Sequence, residues 1–526
     1  MFTFALMKKE FNTAGKCISA NHYMADVSNK LTQALNMVEK GNYFIINRPR
    51  QYGKTTTLYT LAEKLRKTEV YIVLNTSFEG IGDVFFNNEE NFCLGFVRIL
   101  EKHSKVYAPQ LIKFLSKQTG KIKDLDALSD MLTELMSNTD KKVVLMIDEV
   151  DKSSNNQLFV SFLAMLRNKF LTRDEFKTFH SIVLAGVHDV KSLKLKLRPD
   201  EEQKYNSPWN IATDFKVDMN LQLSEIKPML EEYARDNALK IDSPAIAERL
   251  FYYTSGYPFL VSKLCKIFDE EMLPSKTEVT WTIEDVDTAA RQLVRETNTN
   301  FDSLIKNLEN NQDLYDAVYD LAVEAEPRAF NHHNPITNLG VLYGIFTDRN
   351  GLVIHNRIYR EVIVDYMTDK LHQTRISKSA EYGVSYKNPD NSINMETVLT
   401  KFQAFMREQY SQKDRDFLER HGRLVFLAFM KPIINGSGYD FKEPQISEER
   451  RLDVIITYLH HRYLAELKIW RGEAAHQQGL LQLSDYLDRL SLTEGYLLIF
   501  DQSKKRKSWK KEWVEVEGKK VFVVWV

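Results

Sequence analysis

The stretch that most constrains this 526-residue chain is Asn42-Tyr-Phe-Ile-Ile-Asn47 followed by Arg48-Pro-Arg-Gln-Tyr-Gly-Lys-Thr-Thr-Thr57. An apolar strand runs into a tight loop, and the loop opens a helix. That order of strand, loop and helix is the layout of a nucleotide-binding loop, and strands alternating with helices further along imply a parallel sheet covered by helices on both faces. The loop ends in Gly53-Lys54-Thr55. Its amides and the helix N-terminus would point at phosphate oxygens, Lys54 would add charge near the β- and γ-phosphates, and the Thr55 hydroxyl is placed for Mg²⁺. Arg50, Gln51, Tyr52 and Thr56 complete the cradle. The full pattern G-x-x-x-x-G-K-[ST] would put glycine at position 48, where this chain has Arg48. Gly-Lys-Ser/Thr alone arises in roughly one chain in four of this length at average composition, so context must carry the reading.

That context is Lys142-Val-Val-Leu-Met-Ile-Asp-Glu149, a second apolar strand ending in paired acids. Asp148 would hold Mg²⁺ through water and Glu149 would polarise the attacking water. A buried strand with a polar edge is the alternative. Arg48 leaves two outcomes open: a loop that hydrolyses ATP, or one that only binds it because the arginine crowds a turn usually left to glycine. Further apolar runs at Val70–Leu74 and Ser181–Gly186 alternate with helical spacing, as in Leu31, Leu35 and Val38. The fold class expected is α/β multidomain, with the nucleotide at the C-terminal ends of parallel strands.

Size alone calls for several domains. Residues 1–222 read as the ATPase core and 223–299 as a helical lid in which Gly256-Tyr-Pro258 opens a helix. Residues 300–375 read as a winged-helix-like domain with a hairpin from Leu342–Phe346 to Gly351–Ile354. The polar stretch 376–394 reads as a linker and 395–526 as a second α/β domain. The net charge of -1 argues against a wholesale basic coat but leaves a local nucleic-acid patch open. Cys17, Cys93 and Cys265 lack CxxC spacing, and no apolar run approaches a bilayer span, so a cytoplasmic protein is expected.

In the last domain a helix over Met395–Gln409 and a second helix ending near Arg420 precede a run of strands. Arg451–Leu459 and Arg462–Trp470 read as a hairpin turning at His460-His461. Pairing would bring Asp453 near Glu466, and the strand period of two puts Glu466 and Lys468 on one face. Asp453 and Glu466, with the Leu467 carbonyl, are suited to Mg²⁺, and Lys468 to orienting water for phosphodiester cleavage. An exposed cross-strand ion pair is the alternative. Glu419, at the end of its helix, and Gln482, on the helix after the hairpin, extend the set.

Asn47-Arg-Pro-Arg-Gln-Tyr-Gly-Lys-Thr-Thr56, Met146-Ile-Asp-Glu149, Leu184-Ala-Gly-Val-His-Asp-Val190 and Ser207-Pro-Trp-Asn-Ile-Ala212 together resemble the bacterial AAA-like ATPase domain family, of the STAND and archaeal-type P-loop group. Loops of that family resemble this one in lacking the first glycine. Glu419-Arg-His-Gly-Arg423, Lys431-Pro-Ile-Ile-Asn-Gly436, Arg451-Leu-Asp453, Glu466-Leu-Lys-Ile-Trp-Arg-Gly472 and Gln482-Leu-Ser-Asp-Tyr-Leu487 resemble a PD-(D/E)xK nuclease-superfamily domain, with Leu452 where a proline is common. The resemblance implies an active-site set of Glu419, Asp453, Glu466 and Lys468, with Gln482 accessory. The three carboxylates would hold Mg²⁺ or Mn²⁺. It also implies a nucleic acid partner, DNA ahead of RNA, and leaves a homo-oligomer open. A nucleotide-driven switch or scaffold whose C-terminal domain binds without cutting is the competing reading. Bacterial defence would suit such a protein, but no residue specifies it.

Arg167 and His188 are candidate phosphate sensors, with a surface ion pair and a structural hydrogen bond as the alternatives. Lys504–Lys511 is a basic cluster suited to a phosphate backbone or to a solvated loop. The pairs His332-His333 and His460-His461 lack a completing ligand set for a metal.

Overall fold

The computed structural model describes residues 8–79, 81–118, 120–150, 157–187, 209, 211–322, 328–371, 386–409, 415–434, 438–441, 454–458, 460–470, 472–501 and 509–526. They form two compact units, one of Met1–Tyr315 and Pro327–Glu361, the other of Asp316–Glu326 and Val362–Val526.

The first unit is built on five strands: β1 (Tyr43–Asn47), β2 (Tyr71–Ser77), β3 (Lys142–Asp148), β4 (Ser181–Gly186) and β5 (Thr213–Asp214). They are parallel, in the order β2-β3-β4-β1-β5. Strand β1 and its loop lie where the sequence places them. Every residue of β4 and all but the first of β3 are buried, which explains why these strands read as unbroken apolar runs. One face carries Ile45, Leu74, Leu145 and Leu184 into a core shared with helices α3 (Glu89–Tyr107), α4 (Pro109–Gln118), α5 (Leu125–Ser137) and α6 (Gln157–Leu171). Helix α2 (Lys54–Arg66), which starts at the loop, packs against β2, β3 and β4. Phe78, Phe92, Phe96, Phe159 and Phe162 fill the layer beside the C-terminal edge, each removing surface worth about 2–3 kcal/mol from water.

Helix α1 (Ser28–Glu39) precedes this sheet, and the helices expected as a lid follow it. They are α7 (Leu223–Asp236), α8 (Ser243–Thr254), α9 (Pro258–Ile267) and α10 (Ile283–Arg295). Two short strands, β6 (Lys240–Ile241) and β7 (Thr280–Trp281), pair in parallel between them. Ser255 caps α8 in left-handed backbone at φ 52, and Gly256 follows at φ +75, where a Cβ would come within 2.1 Å of the Leu221 carbonyl oxygen. Pro258 then fills the first position of α9, where its missing N–H costs nothing.

Beyond α11 (Thr299–Glu309), α12 (Gln312–Ala322) and α13 (Pro335–Leu342), the hairpin is shorter than expected, with β8 at Phe346–Asp348 and β9 at Leu352–Ile354. Helix α14 (Arg357–Leu371) follows it. Leu342 belongs to α13. Gly344, at φ +73, closes that helix while Ile345 N–H bonds the Gly340 carbonyl at 2.8 Å, so the strand begins only at Phe346.

The second unit holds α15 (Met395–Gln409), α16 (Arg415–Ile434), β10 (Gly438–Phe441), β11 (Val454–Tyr458), β12 (His461–Ile469), α17 (Glu473–Arg489), β13 (Glu494–Phe500), β14 (Lys511–Val516) and β15 (Lys519–Trp525). Its sheet order is β10-β11-β12-β13-β15-β14, with β10, β11 and β12 antiparallel and β12 parallel to β13. Leu480, Leu483 and Leu487 of α17 pack on Ile455, Leu464, Leu497 and Ile499. The helix expected to end near Arg420 instead continues to Ile434. Gly422 does not break it, because the position lies under the Phe500 ring, where a Cβ would come within 2.9 Å, and Leu424–Ala428 are buried. The apolar run therefore serves a buried helix rather than a strand.

Gly256→Ala is expected to destabilise the first unit by roughly 2 kcal/mol or more, through backbone strain and a clash at a carbonyl. Urea unfolding followed by hydrogen exchange in α8 and α9 reads the effect.

Candidate functional site

The phosphate loop leaves β1 at Asn47 and turns into α2 through Gln51 at φ 55 and Gly53 at φ 79. Left-handed backbone is costly for a side-chain-bearing residue and natural for glycine, so Gly53 is required where it stands. No side chain caps α2, which leaves its first-turn amides open to an anion. Lys54 is buried, and its ammonium donates to the carbonyls of Arg48 at 3.0 Å and Pro49 at 2.8 Å. Thr55, one residue on, donates its hydroxyl to Asp148 Oδ2 at 2.6 Å. Asp148 is buried at the end of β3, and its Oδ1 accepts the Glu149 N–H at 2.9 Å. Glu149 also has left-handed backbone, at φ 54.

A hydroxyl and a carboxylate meeting beside phosphate-directed amides suit Mg²⁺, which takes one or two protein oxygens together with substrate phosphates. Among the described residues, no group of three or more His, Cys, Asp or Glu forms a metal cluster. Two cavities lie beside the start of α2. One of about 490 Å³ is lined by Thr55, Asn75, Ser77, Glu79 and Asp148. The other, of about 160 Å³, runs from Gly53 and Thr56 past Tyr23 and Met229 to Phe259 of α9. Its apolar body suits a nucleoside base, and sequence reasoning assigned no base-contacting residue.

Arg48 does not crowd the loop. It is not among the residues with positive φ, so its position needs no glycine. Its guanidinium turns outward to donate to the carbonyls of Asn47 at 2.7 Å, Phe215 at 3.2 Å and Val217 at 2.6 Å. Burial lowers its pKa from the usual arginine value. The planar fork serves several carbonyls at once, which a lysine would not reproduce. The loop is also held from outside. Tyr257, before α9, donates its hydroxyl to the Arg50 carbonyl at 2.7 Å and meets Tyr52 edge-on. Tyr52 Oη lies 2.9 Å from His355 Nε2. His355 is fully enclosed, and burial first, then nearby Arg349, push its pKa down to about 3.

In the second unit, β11 pairs antiparallel with β12, Val454 facing Ala465 and Tyr458 facing His461, so the expected hairpin forms but His461 belongs to β12 rather than to the turn. Glu466 is buried, and its Oε1 lies 2.7 Å from Lys468 Nζ, whose side chain is 43% exposed. A Cβ on Gly479 of α17 would meet Lys468 Cε at 3.9 Å, and Gln482 stands three residues further along that helix. The structure thus brings Glu466 and Lys468 together on one strand. Asp453, His188 and residues 504–508 of the basic cluster lie outside the described residues, as does the Glu419 side chain. Arg167 is on α6, half-buried, and its Nε makes no hydrogen bond among the described residues. His332 and His333 sit in an exposed turn before α13.

Arg48→Gly, which restores the usual loop pattern, is expected to lower the stability of the first unit by about 1–3 kcal/mol, because buried carbonyls lose a charged donor. Thermal unfolding of the variant checks this. His355 is neutral in the fold and takes up a proton near pH 6.5 when unfolded. The stability from its burial is present above pH 6.5 and declines as pH falls toward 3, by about 1.4 kcal/mol per unit. Urea unfolding is expected to show the gap between wild type and His355→Gln nearly constant above pH 7 and shifting toward that slope between pH 6 and 4.

Residues 18–361 match the model of a family described as the AAA-like domain. Solved structures align over about two thirds of the chain. A Walker-type ATPase of Pyrococcus abyssi aligns at 13% identity over 67% of this chain and 99% of that one, with a TM-score of 0.47. The ORC2 protein of Aeropyrum pernix aligns at 14% over 70% and 100%, with a TM-score of 0.36. The RuvB Holliday junction branch migration motor of Thermotoga maritima aligns at 16% over 67% and 98%, with a TM-score of 0.35. No curated protein matches the chain.

Proposed function

Because the chain belongs to the AAA-like domain family over residues 18–361, we propose that it binds and hydrolyses ATP and that its nucleotide state regulates a Mg²⁺-dependent nuclease in residues 395–526, acting on DNA. The observation that carries the ATPase part is the 2.6 Å contact between Thr55 and Asp148, which joins the loop after β1 to the end of β3. In this reading Thr55 and Asp148 hold Mg²⁺, the amides from Gln51 to Thr56 bind phosphate oxygens, and Lys54 leaves the loop carbonyls for the γ-phosphate. Glu149 orients the attacking water and takes its proton. Bound Mg²⁺ would neutralise charge on the phosphates.

Support for the nuclease part comes from the second unit's order of helix, three antiparallel strands, helix and parallel strand, with Glu466 and Lys468 on its central β12. Glu466 and the Leu467 carbonyl would contribute metal ligands beside Asp453 and Glu419, and the half-exposed Lys468 would orient water. Mn²⁺ has the same oxygen preference. Gln482 would steady the water or the scissile phosphate from α17. Regulation by the nucleotide rests on the order of the domains in the chain. The 2.7 Å pairing of Glu466 with Lys468 also suits a second reading, in which the pair is structural and the domain binds nucleic acid or protein without cutting. Among the described residues no helix is long and apolar enough to cross a membrane.

The test is cleavage of single- and double-stranded DNA with Mg²⁺ or Mn²⁺, with and without ATP. The expected outcome is metal-dependent cutting lost by at least about 100-fold in Asp453→Ala and Glu466→Gln with DNA affinity retained, and altered in Lys54→Ala. ATP turnover is expected to fall by a similar factor in Glu149→Gln. Metal-independent binding with no cleavage under any nucleotide condition would favour the second reading.

A further inference from the structure

Asn220 carries an unusual load for a residue in the segment between β5 and α7. Its N–H bonds Asp218 Oδ1 at 2.9 Å, and its carbonyl accepts from Lys30 Nζ of α1 at 2.6 Å and from Gln222 Nε2 at 3.2 Å. Its side-chain Oδ1 accepts the Tyr52 hydroxyl of the phosphate loop and lies 3.1 Å from His355 Nε2, just past β9. Tyr52 Oη and His355 Nε2 are 2.9 Å apart, so three polar groups close a triangle around buried Tyr52 and His355. The proton positions follow from the partners. Asn356 Nδ2 is 3.3 Å from His355 Nδ1 and can only donate, which leaves the imidazole proton on Nε2. Asn220 Oδ1 then accepts two donors, one for each lone pair.

We propose that Asn220 is a positioning residue of the phosphate loop, its amide oxygen locking Tyr52 to His355 so that the loop's response to bound nucleotide reaches the β8–β9 hairpin. The proposal rests on the ATP-binding reading above and names how that site is coupled to the rest of its unit. The hairpin has three residues per strand, too few to fix its own position, and depends on anchors outside itself. It has two near the loop. One is the Asn220 triangle, which continues into the hairpin through His355 N–H bonded to the Ile345 carbonyl at 2.7 Å. The other is Gly344, whose missing Cβ admits Pro49, since a Cβ there would come within 2.8 Å of the Pro49 ring. Tyr52 cannot move with the loop while the hairpin stays behind without leaving a buried donor or acceptor unmade.

Hydrogen exchange of the full chain, with and without ATP and Mg²⁺, tests the coupling at residues 345–355. ATP is expected to slow exchange there in the wild type. Asn220→Leu and Tyr52→Phe are expected to lose that protection and to weaken ATP binding roughly fivefold, with exchange in β1 and β3 unchanged. Asn220→Asp keeps an acceptor oxygen and is expected to restore both. Tyr52→Phe retains the ring and its contact with Tyr257, so it separates the hydrogen bond from packing. Hairpin protection that persists in Asn220→Leu and Tyr52→Phe overturns the proposal, as does wild-type ATP binding without any hairpin response. A wild type that binds no ATP overturns the ATP-binding reading itself, and is seen before any variant is compared.

Discussion

The nucleotide end of this protein depends on one close approach, that of the Thr55 hydroxyl to the Asp148 carboxylate. The two residues come from β1's loop and from β3, which are not neighbours, because β4 runs between them. Their meeting is thus a product of the whole sheet. A slip of one residue in the pairing of β3 with β4 would turn Asp148 to the opposite face. The close packing of β3 and β4 on both faces opposes such a slip, since each buried side chain is fitted to its own neighbours. The aromatic layer of Phe78, Phe92, Phe96, Phe159 and Phe162 holds the same edge from one side. Core packing and site geometry are one constraint here.

Much of the first unit was legible because its signals are local. Five consecutive apolar or amide residues followed by Gly53-Lys54-Thr55 specify strand, turn and helix start, and the structure has β1 at Tyr43–Asn47 and α2 from Lys54. The role of Arg48 was not legible. Its partners, the carbonyls of Phe215 and Val217, lie more than 160 residues away and carry no sequence signature, since every residue has a carbonyl. Asn220 and His355 were missed for the same reason: a single polar residue in a connection gives no pattern until the chain has folded around it. The end of the helix expected near Arg420 was misplaced in the other direction, two residues before Gly422. Glycine usually marks a helix end, but here it admits the Phe500 ring to a helix whose length is set by burial.

In the second unit the alternation of side chains along β12 was enough to place Glu466 and Lys468 on one face, because strand period is a geometric property that context rarely alters. What the period could not reveal is the contrast between them. Glu466 is buried at the centre of the sheet while Lys468, two residues on, is half in solvent. In the proposed nuclease, a buried carboxylate and a half-exposed amine 2.7 Å away would divide the labour of hydrolysis between them. The same contrast also lets the amine neutralise the acid, which is why geometry alone supports both readings of this domain.

Gln51 and Glu149 share an unusual property. Both bear side chains, both adopt left-handed backbone, and one lies in each of the two motifs that meet at the nucleotide. Residues in this conformation give up about 1 kcal/mol or more relative to glycine or asparagine. Selection for folding alone would therefore rewrite these two positions early, and each replacement would make the protein sturdier. In the proposed ATPase, a directed-evolution campaign scored only on thermal tolerance would improve its readout by rewriting residues beside Thr55 and Asp148, so the two φ angles mark where robustness and turnover would pull in opposite directions.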